Sequence, residues 1–284
     1  MANKILVFGE VLYDLFEEKA EIGGTPFNFA AHFSSLGGKA DFVSAVGDDE
    51  LGKKALAELE KRGVGTKFTA VTEKPTGYCK VTLTGGTPSY DLAAHVAYDY
   101  IPAPRVRGKY DALYFGTLAQ RAETSRKTLK KLLGRSYGEV FYDINIRKPF
   151  YTDELINDSI AQATILKISR EEAGVLFPFT EPEEYCKKVL DRFQNLRQVV
   201  LTLDKDGSMV RDREKGVFYA PKPRSKAVST VGAGDSFGAC YLHHLLKGDE
   251  IEASLKAATL LSDYVVTQLG AVPALPPELK EQLI

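Results

Sequence analysis

The sequence is poor in the residues that mark several classes of function. It has three cysteines, Cys79, Cys186 and Cys240, far apart and without CxxC spacing. A sparse, odd set of that kind argues against a disulfide framework and against a thiolate zinc site. Histidine is also scarce. His32 and His95 stand alone, and His243-His244, in a predicted helix, has no cysteine or further histidine at ligand spacing, so a metal role is not expected of it. Net charge is nearly absent, at -1, and no basic run is interleaved with aromatics. That removes the electrostatic footprint of a nucleic-acid binder. No apolar run reaches the length of a bilayer span. Ile5–Phe8 follows a single early lysine and is too short for a signal peptide, so it reads as a first strand, and a cytoplasmic location is the expectation.

What remains is ordinary for a globular chain with a sizeable core: 284 residues, 44% hydrophobic and 26% charged. One domain over residues 1–284 is expected. Short runs rich in Val, Ile, Leu and aromatics predict strands at Lys4–Phe8, Asp41–Val46, Ala112–Phe115, Val140–Asp143, Ile165–Ile168 and Gln198–Leu203. Between several of them lie helical patterns. Glu50–Arg62 puts Leu51, Ala55, Leu56 and Leu59 on one face and stops at Gly63. Thr25-Pro26 offers a cap and a first-turn proline for a helix over Phe27–Leu36, closed by Gly37. The alternation predicts a mostly parallel sheet with helices on both faces. Residues 72–101 break it: strand-like residues flank Gly85-Gly86 with no evident helix. They read as a hairpin outside the main layers, either an ordinary surface hairpin or a lid over a site.

Near the carboxyl end, Gly232-Ala233-Gly234-Asp235 leads into a helix that continues through Cys240–Leu246. Small residues opening a helix expose backbone N–H groups at its positive end, which suits phosphate. Asp235 then lies where a transferred group would sit, and a carboxylate suffices to take the proton of an attacking hydroxyl. The other reading of Asp235 is a plain helix cap. Near the amino end, Asp14 follows the first strand, and Gly23-Gly24 precede Asn28 in the first turn of the next helix. Asp, Asn and bare backbone suit neighbouring sugar hydroxyls, although each could be a loop or capping residue. Two glycine patterns are set aside. Gly232, Gly234 and Gly238 do not keep dinucleotide spacing, and Gly47–Lys54 lacks the Ser or Thr after its lysine while carrying Asp48, Asp49 and Glu50.

Taken together these segments resemble the ribokinase-like (PfkB) carbohydrate kinases over nearly the whole chain. The amino-terminal signature is matched by Gly23-Gly24…Asn28, running on to Gly47-Asp48-Asp49, and the carboxyl-terminal one by Gly232–Asp235. The resemblance implies a three-layer α/β fold with a small β-sheet lid built from about residues 11–22 and 72–101, through which members often dimerise. It implies Asp235 as base, the N–H groups of Gly232, Ala233 and Gly234 as an anion hole, and Arg147, from Asp143-Ile144-Asn145-Ile146-Arg147, facing substrate or phosphate. Asp14, Gly23, Gly24, Asn28, Asp143 and Tyr98 become sugar-side residues, Tyr98 being either a stacking aromatic or part of the core. Lys167, Thr202, Asp204, Gly207 and Thr259 fall on the ATP side, and Glu172 is associated indirectly with Mg2+. Among the members, Phe115–Arg121 and Asp143–Arg147 followed by Phe150-Tyr151 look most like bacterial fructokinases. The implied reaction is D-fructose plus MgATP to fructose 6-phosphate. Kinases of ribose, nucleosides or keto-deoxy acids, and a silent sugar-binding module, stay open as alternatives. Three positions depart from the family pattern: Ser169 for Asn in NxxE, Asp204 for a glycine, and Ser229 for an Asp that often helps bind a monovalent cation. The last leaves a potassium requirement open.

Overall fold

The computed structural model describes residues 2–17, 19–84, 87–220 and 225–284, with the side chains of 83, 84 and 87–90 left aside. The chain begins β1 (Lys4–Phe8), β2 (Leu12–Leu15), β3 (Ala20–Gly23), α1 (Thr25–Ser35), β4 (Lys39–Gly47), α2 (Glu50–Lys61) and β5 (Gly65–Thr72). It continues β6 (Gly77–Thr84), β7 (Thr87–Leu92), β8 (Ala112–Gly116), α3 (Glu123–Leu133), β9 (Glu139–Asp143) and α4 (Asp153–Gln162). Then come β10 (Ile165–Ser169), α5 (Arg170–Ala173), α6 (Pro182–Arg192), β11 (Gln198–Thr202), β12 (Ser208–Asp212) and β13 (Gly216–Ala220). Three helices close the chain: α7 (Ala233–Lys247), α8 (Ile251–Val265) and α9 (Pro277–Leu283).

Nine strands make one sheet in the order β13-β12-β11-β10-β9-β8-β1-β4-β5. Every pairing from β11 to β5 is parallel, and the pairings β11–β12 and β12–β13 are antiparallel. Side chains alternate across this sheet, so each strand feeds two cores. Leu6 and Phe8 pack with Leu129 and Leu132 of α3, Ile156 of α4 and Val189 of α6. Ile5 and Val7 pack on the opposite face with Phe29 and Phe33 of α1, Leu59 of α2, Leu242 of α7 and Leu255 of α8. The result is the expected three-layer α/β arrangement. From β1 the chain builds outward to β4 and β5, then returns to lay β8, β9, β10 and β11 on the other side. Ligands of open α/β sheets bind at the carboxyl ends of the strands flanking such a reversal. Here that is the end of β1, where Gly9 and Glu10 stand.

A second sheet has the order β3-β2-β6-β7. Two antiparallel hairpins meet through the parallel pair β2–β6, with Leu12 opposite Gly77 and Asp14 opposite Cys79. The Gly85-Gly86 turn expected in it lies outside the described residues. Residues 72–101 also contain one 3-10 turn, Ala97–Tyr100, which the strand-like pattern did not suggest. Asp49 fastens this sheet to the main one. Its carboxylate accepts from Gly52 N at 2.7 Å, capping α2, and from Thr76 N and Oγ1 at 2.8 and 2.7 Å. A Cβ on Gly47 would stand 2.6 Å from Thr76 N and from Lys74 O. The Gly47-Asp48-Asp49 run is therefore a structural clasp at the root of the small sheet.

One local expectation is corrected. The N-cap of α1 is Gly24, and Thr25 is the first helical residue. The Thr25 hydroxyl is drawn away from capping because it accepts from Asn145 Nδ2.

Candidate active site

Asp235 lies in the first turn of α7, whose N-cap is Gly232 with no side-chain cap bond. The capping reading of Asp235 therefore fails. Its carboxylate instead accepts from Asn28 Nδ2 at 2.7 Å, a bond that joins α1 to α7 across 207 residues of sequence. Burial raises the Asp235 pKa above the ordinary carboxylate value, opposed by the Asn28 bond and then by the charges of Lys167 and Arg147. The turn itself is forced to be small. Gly232 sits at φ 82°, and a Cβ there would lie 2.4 Å from Ala271 O. Ala233 N already donates to Thr230 O at 3.3 Å, which removes it from the expected trio of anion donors in this conformation. The N–H groups of Gly234 and Asp235 have no partner inside the helix and stay directed at its positive end.

The amino-terminal residues reach the same place. Gly24, at φ 106°, would bring a Cβ to within 2.7 Å of Glu10 O, so only glycine fits between α1 and the end of β1. Gly23 lies beside Asp14, 3.7 Å from a Gly23 Cβ to Asp14 Oδ2. Burial, and after it the neighbouring charge of Glu21, raises the Asp14 pKa, with Arg147 opposing. Asn28 is buried, and its Oδ1 finds no partner among the described residues.

Lys167 and Asp143 form a buried ion pair beneath the turn, Nζ lying 2.9 Å from both carboxylate oxygens. Asp143 is thus occupied by Lys167, which draws its side chain away from the expected sugar role. Burial disfavours the Lys167 ammonium, but Asp143, Glu172 and Asp235 outweigh it and its pKa rises. Burial likewise pushes Asp143 up to about 6 against the pull of Lys167. A Cβ on Gly234 would stand 3.3 Å from Lys167 Nζ. The ammonium therefore underlies the Gly232–Asp235 turn. Arg147 is exposed, and its guanidinium donates to Ile146 O at 3.1 Å. Its charge nevertheless reaches Glu10, Asp14 and Asp235.

Glu172 closes a capping box with Ser169. Its Oε2 accepts from Ser169 N and Oγ at 3.0 and 2.9 Å, and its Oε1 accepts from Ile146 N at 2.9 Å. Serine thus serves the cap that asparagine would serve. Asp204 sits at φ 52° and Gly207 at φ 96° in the turn after β11. Asp204 adopts a left-handed conformation itself, one that Asp tolerates better than most residues, so the turn keeps a backbone that a glycine would also accept. Thr202 and Thr259 are half-buried and buried, and Thr259 Oγ1 has no partner among the described residues. No hydrogen bond between described residues links Thr202, Asp204, Gly207 or Thr259 to the Asp235 cluster. Ser229 Oγ accepts from Val231 N at 3.3 Å.

Two residues were not singled out from the sequence. Glu10 directly follows the switch-point strand, and burial pushes its carboxyl up to about 7. Arg121 clamps Asp99 at 2.7 and 2.9 Å and lies 4.8 Å over the Tyr98 ring. That ring is fully buried and packs against Gly77. Tyr98 is therefore no open stacking platform, and only its hydroxyl is left unpartnered among the described residues. The signal for Glu10 was its place at the end of β1. For Arg121 no local signal existed.

The chain is similar to an ATP-dependent 6-phosphofructokinase of Thermoanaerobacterium thermosaccharolyticum, at 28% identity over 96% of this chain and 90% of that protein. It is similar to a probable fructokinase-5 of Arabidopsis thaliana, at 28% identity over 97% of this chain and 96% of that one. In structure it resembles aminoimidazole riboside kinase from Salmonella enterica, crystallised with aminoimidazole riboside and an ATP analogue. The TM-score is 0.85 at 24% identity, covering 99% of this chain and 100% of that one. Residues 2–278 match the pfkB family carbohydrate kinase pattern. By that match, and by its three-layer fold with a second small sheet, the chain belongs to the pfkB family of carbohydrate kinases.

Proposed function

We propose that this ATP-dependent sugar kinase is a fructokinase, moving the γ-phosphoryl group of ATP to the 6-hydroxyl of D-fructose with Asp235 as base. The observation that carries the reading is the Asn28–Asp235 bond at the N-terminus of α7. It holds a buried carboxylate beside unpartnered helix N–H groups, where an attacking hydroxyl and a transferring phosphoryl can meet. Asp235 takes the hydroxyl proton as the bond to phosphorus forms. Gly234 and Asp235 N–H groups stabilise the phosphoryl oxygens from one side, and the Lys167 ammonium does so from below. Arg147, exposed and unpaired among the described residues, is free to meet a phosphate. Asp14 and Asn28 Oδ1 are placed to accept hydroxyls of the sugar.

The residues fit magnesium in one form. Among the described residues no cluster of three acidic, histidine or cysteine side chains could cage a metal. Magnesium that keeps its waters and rides on the nucleotide phosphates needs no such cage. Glu172 has lone-pair capacity left for one of those waters. Bound there, the ion would neutralise phosphate charge. Thr202, Asp204, Gly207 and Thr259 are assigned to the nucleotide side, and the small sheet to a lid that also joins two copies of the chain in a cytoplasmic homodimer.

A second acceptor is favoured by the named relatives, which carry a sugar phosphate and a riboside as well as fructose. An ADP-release assay across D-fructose, ribose, nucleosides and keto-deoxy acids, with and without potassium, decides among them. The reading expects D-fructose to be fastest. Faster release with another acceptor moves the substrate. No release with any, alongside intact sugar binding, leaves a silent binding module.

A further inference from the structure

Three polar side-chain atoms have no hydrogen-bond partner among the described residues and belong to neighbouring groups: Glu10 Oε2, Tyr98 OH and Arg121 Nη1. They come from the end of β1 and from two separate 3-10 turns, Ala97–Tyr100 and Leu118–Arg121. Glu10 is 2% exposed, Tyr98 0%, and the Arg121 side chain 7%. Arg121 covers the Tyr98 ring at 4.8 Å and stacks on Phe150 at 4.6 Å. The Tyr98 hydroxyl responds first to its burial, then to the charges of Arg121 and Glu10. Glu10 responds first to its burial and, among charged groups, to Arg147, Asp235 and Arg121 in that order. Glu10 thus connects this cluster to Asp235. Buried polar atoms are ordinarily satisfied, and each exception asks for an explanation. Arg121 covers Tyr98, and Glu10 lies against Gly24, its Cγ 3.4 Å from a Cβ built there; three such exceptions beside a proposed acceptor site point to a ligand group that satisfies them together.

The charges say which kind of group. Arg121 is neutralised by Asp99 at 2.7 Å and Lys167 by Asp143 at 2.9 Å. No ion pair among the described residues engages Glu10, Asp14, Asp235 or Arg147. Three carboxyl groups therefore face one exposed guanidinium. A neutral hydroxyl can donate to Glu10 Oε2 while accepting from Arg121 Nη1 or Tyr98 OH. A phosphate dianion offers no proton, and above about pH 7, where Glu10 is ionised, it meets Glu10 as a like charge.

We propose that Glu10, Tyr98 and Arg121 form a second wall of the acceptor pocket that reads a hydroxyl of a neutral polyol and excludes a phosphorylated sugar. The proposal rests on the sugar-kinase reading for its location and goes beyond it in naming the recognition chemistry. It separates this chain from the relative whose name carries a phosphorylated sugar.

The test is calorimetric binding at pH 8 without ATP, using D-fructose, its monodeoxy analogues and fructose 1-phosphate, whose phosphate lies away from the reacting 6-hydroxyl. The proteins are the wild type, Glu10→Gln and Tyr98→Phe. The amide is isosteric with the carboxyl, and a melting temperature at or above wild type shows that the variant is folded. Loss of one hydrogen bond to a charged group predicts fructose binding about tenfold or more weaker in Glu10→Gln, and about threefold weaker in Tyr98→Phe. Fructose 1-phosphate should bind the wild type about 100-fold less tightly than fructose, and the gap should narrow about tenfold in Glu10→Gln. One deoxy analogue should carry a penalty in the wild type that disappears in Glu10→Gln. Dissociation constants within twofold of wild type in both variants overturn the proposal, because the cluster then holds only water. Equal binding of fructose and its 1-phosphate overturns it as well, and so does a wild type that binds no sugar. ADP release is read separately: its absence with the predicted binding shifts removes phosphoryl transfer and upholds the wall.

Discussion

The two sides of the proposed pocket are built in opposite ways. Around Asp235 the base and the ammonium are held by protein partners, Asn28 and Asp143, while Asn28 Oδ1 keeps no partner among the described residues. Around Glu10 only Arg121 has an ion-pair partner, Asp99, and Glu10, Tyr98 and Arg121 each keep an unpartnered atom among the described residues. The contrast teaches a division of labour. Phosphoryl transfer needs groups fixed before the substrate arrives, so the base and the ammonium on that side are held in advance. Recognition needs groups whose partner is the substrate, so that side is left unsatisfied and carries the desolvation cost.

The comparison is easiest to break at Lys167. Lys167→Met leaves the Asp143 carboxylate buried and alone, which should lower stability by about 3–5 kcal/mol in a denaturant titration. Adding Asp143→Leu should recover most of that stability while turnover stays low. If the double variant also recovers turnover, the ammonium has no part in holding phosphate. Glu10 supplies the matching test on the other side. Its folded pKa of about 7 lies above the ordinary 4.5. The folded protein therefore keeps a proton that the unfolded chain has released between those values. Stability from this group is full below about pH 4.5 and is lost as pH rises through about 7, a fall of about 3 kcal/mol at the limit. Glu10→Gln should flatten that fall in thermal melts, and an unchanged slope would show that Glu10 is not the group titrating. The smallest effect belongs to the cap at Ser169, where Ser169→Ala should cost about 1 kcal/mol. A loss several times larger would mean that Glu172 has also released Ile146 N and the segment leading to Arg147.

Much of the Asp235 side was legible in the sequence because it is written in local motifs. A glycine pair, an Asn in a first helical turn and a Gly-Ala-Gly-Asp run each have a short-range physical reason. The sheet was legible where strands are buried on both faces, as in Lys4–Phe8. It was not legible at β5, β12 and β13, which lie at or next to the edges of the sheet; β5 and β13 are only partly buried and carry polar and charged residues in place of an apolar run. Thr25 looked like a cap until Asn145, distant in sequence, claimed its hydroxyl. The Glu10 side was hidden for a related reason. An unsatisfied atom is a property of burial, and Arg121 meets Tyr98 only because two 3-10 turns are folded together. No spacing rule records that.

The central claim is that Asp235 removes the acceptor proton and does little to hold the sugar. The direct measurement pairs sugar binding by calorimetry with ADP release, in the wild type and Asp235→Asn. The account predicts a dissociation constant within about threefold of wild type, with turnover lower by about 10²–10⁴-fold. Near-wild-type turnover in Asp235→Asn would contradict it.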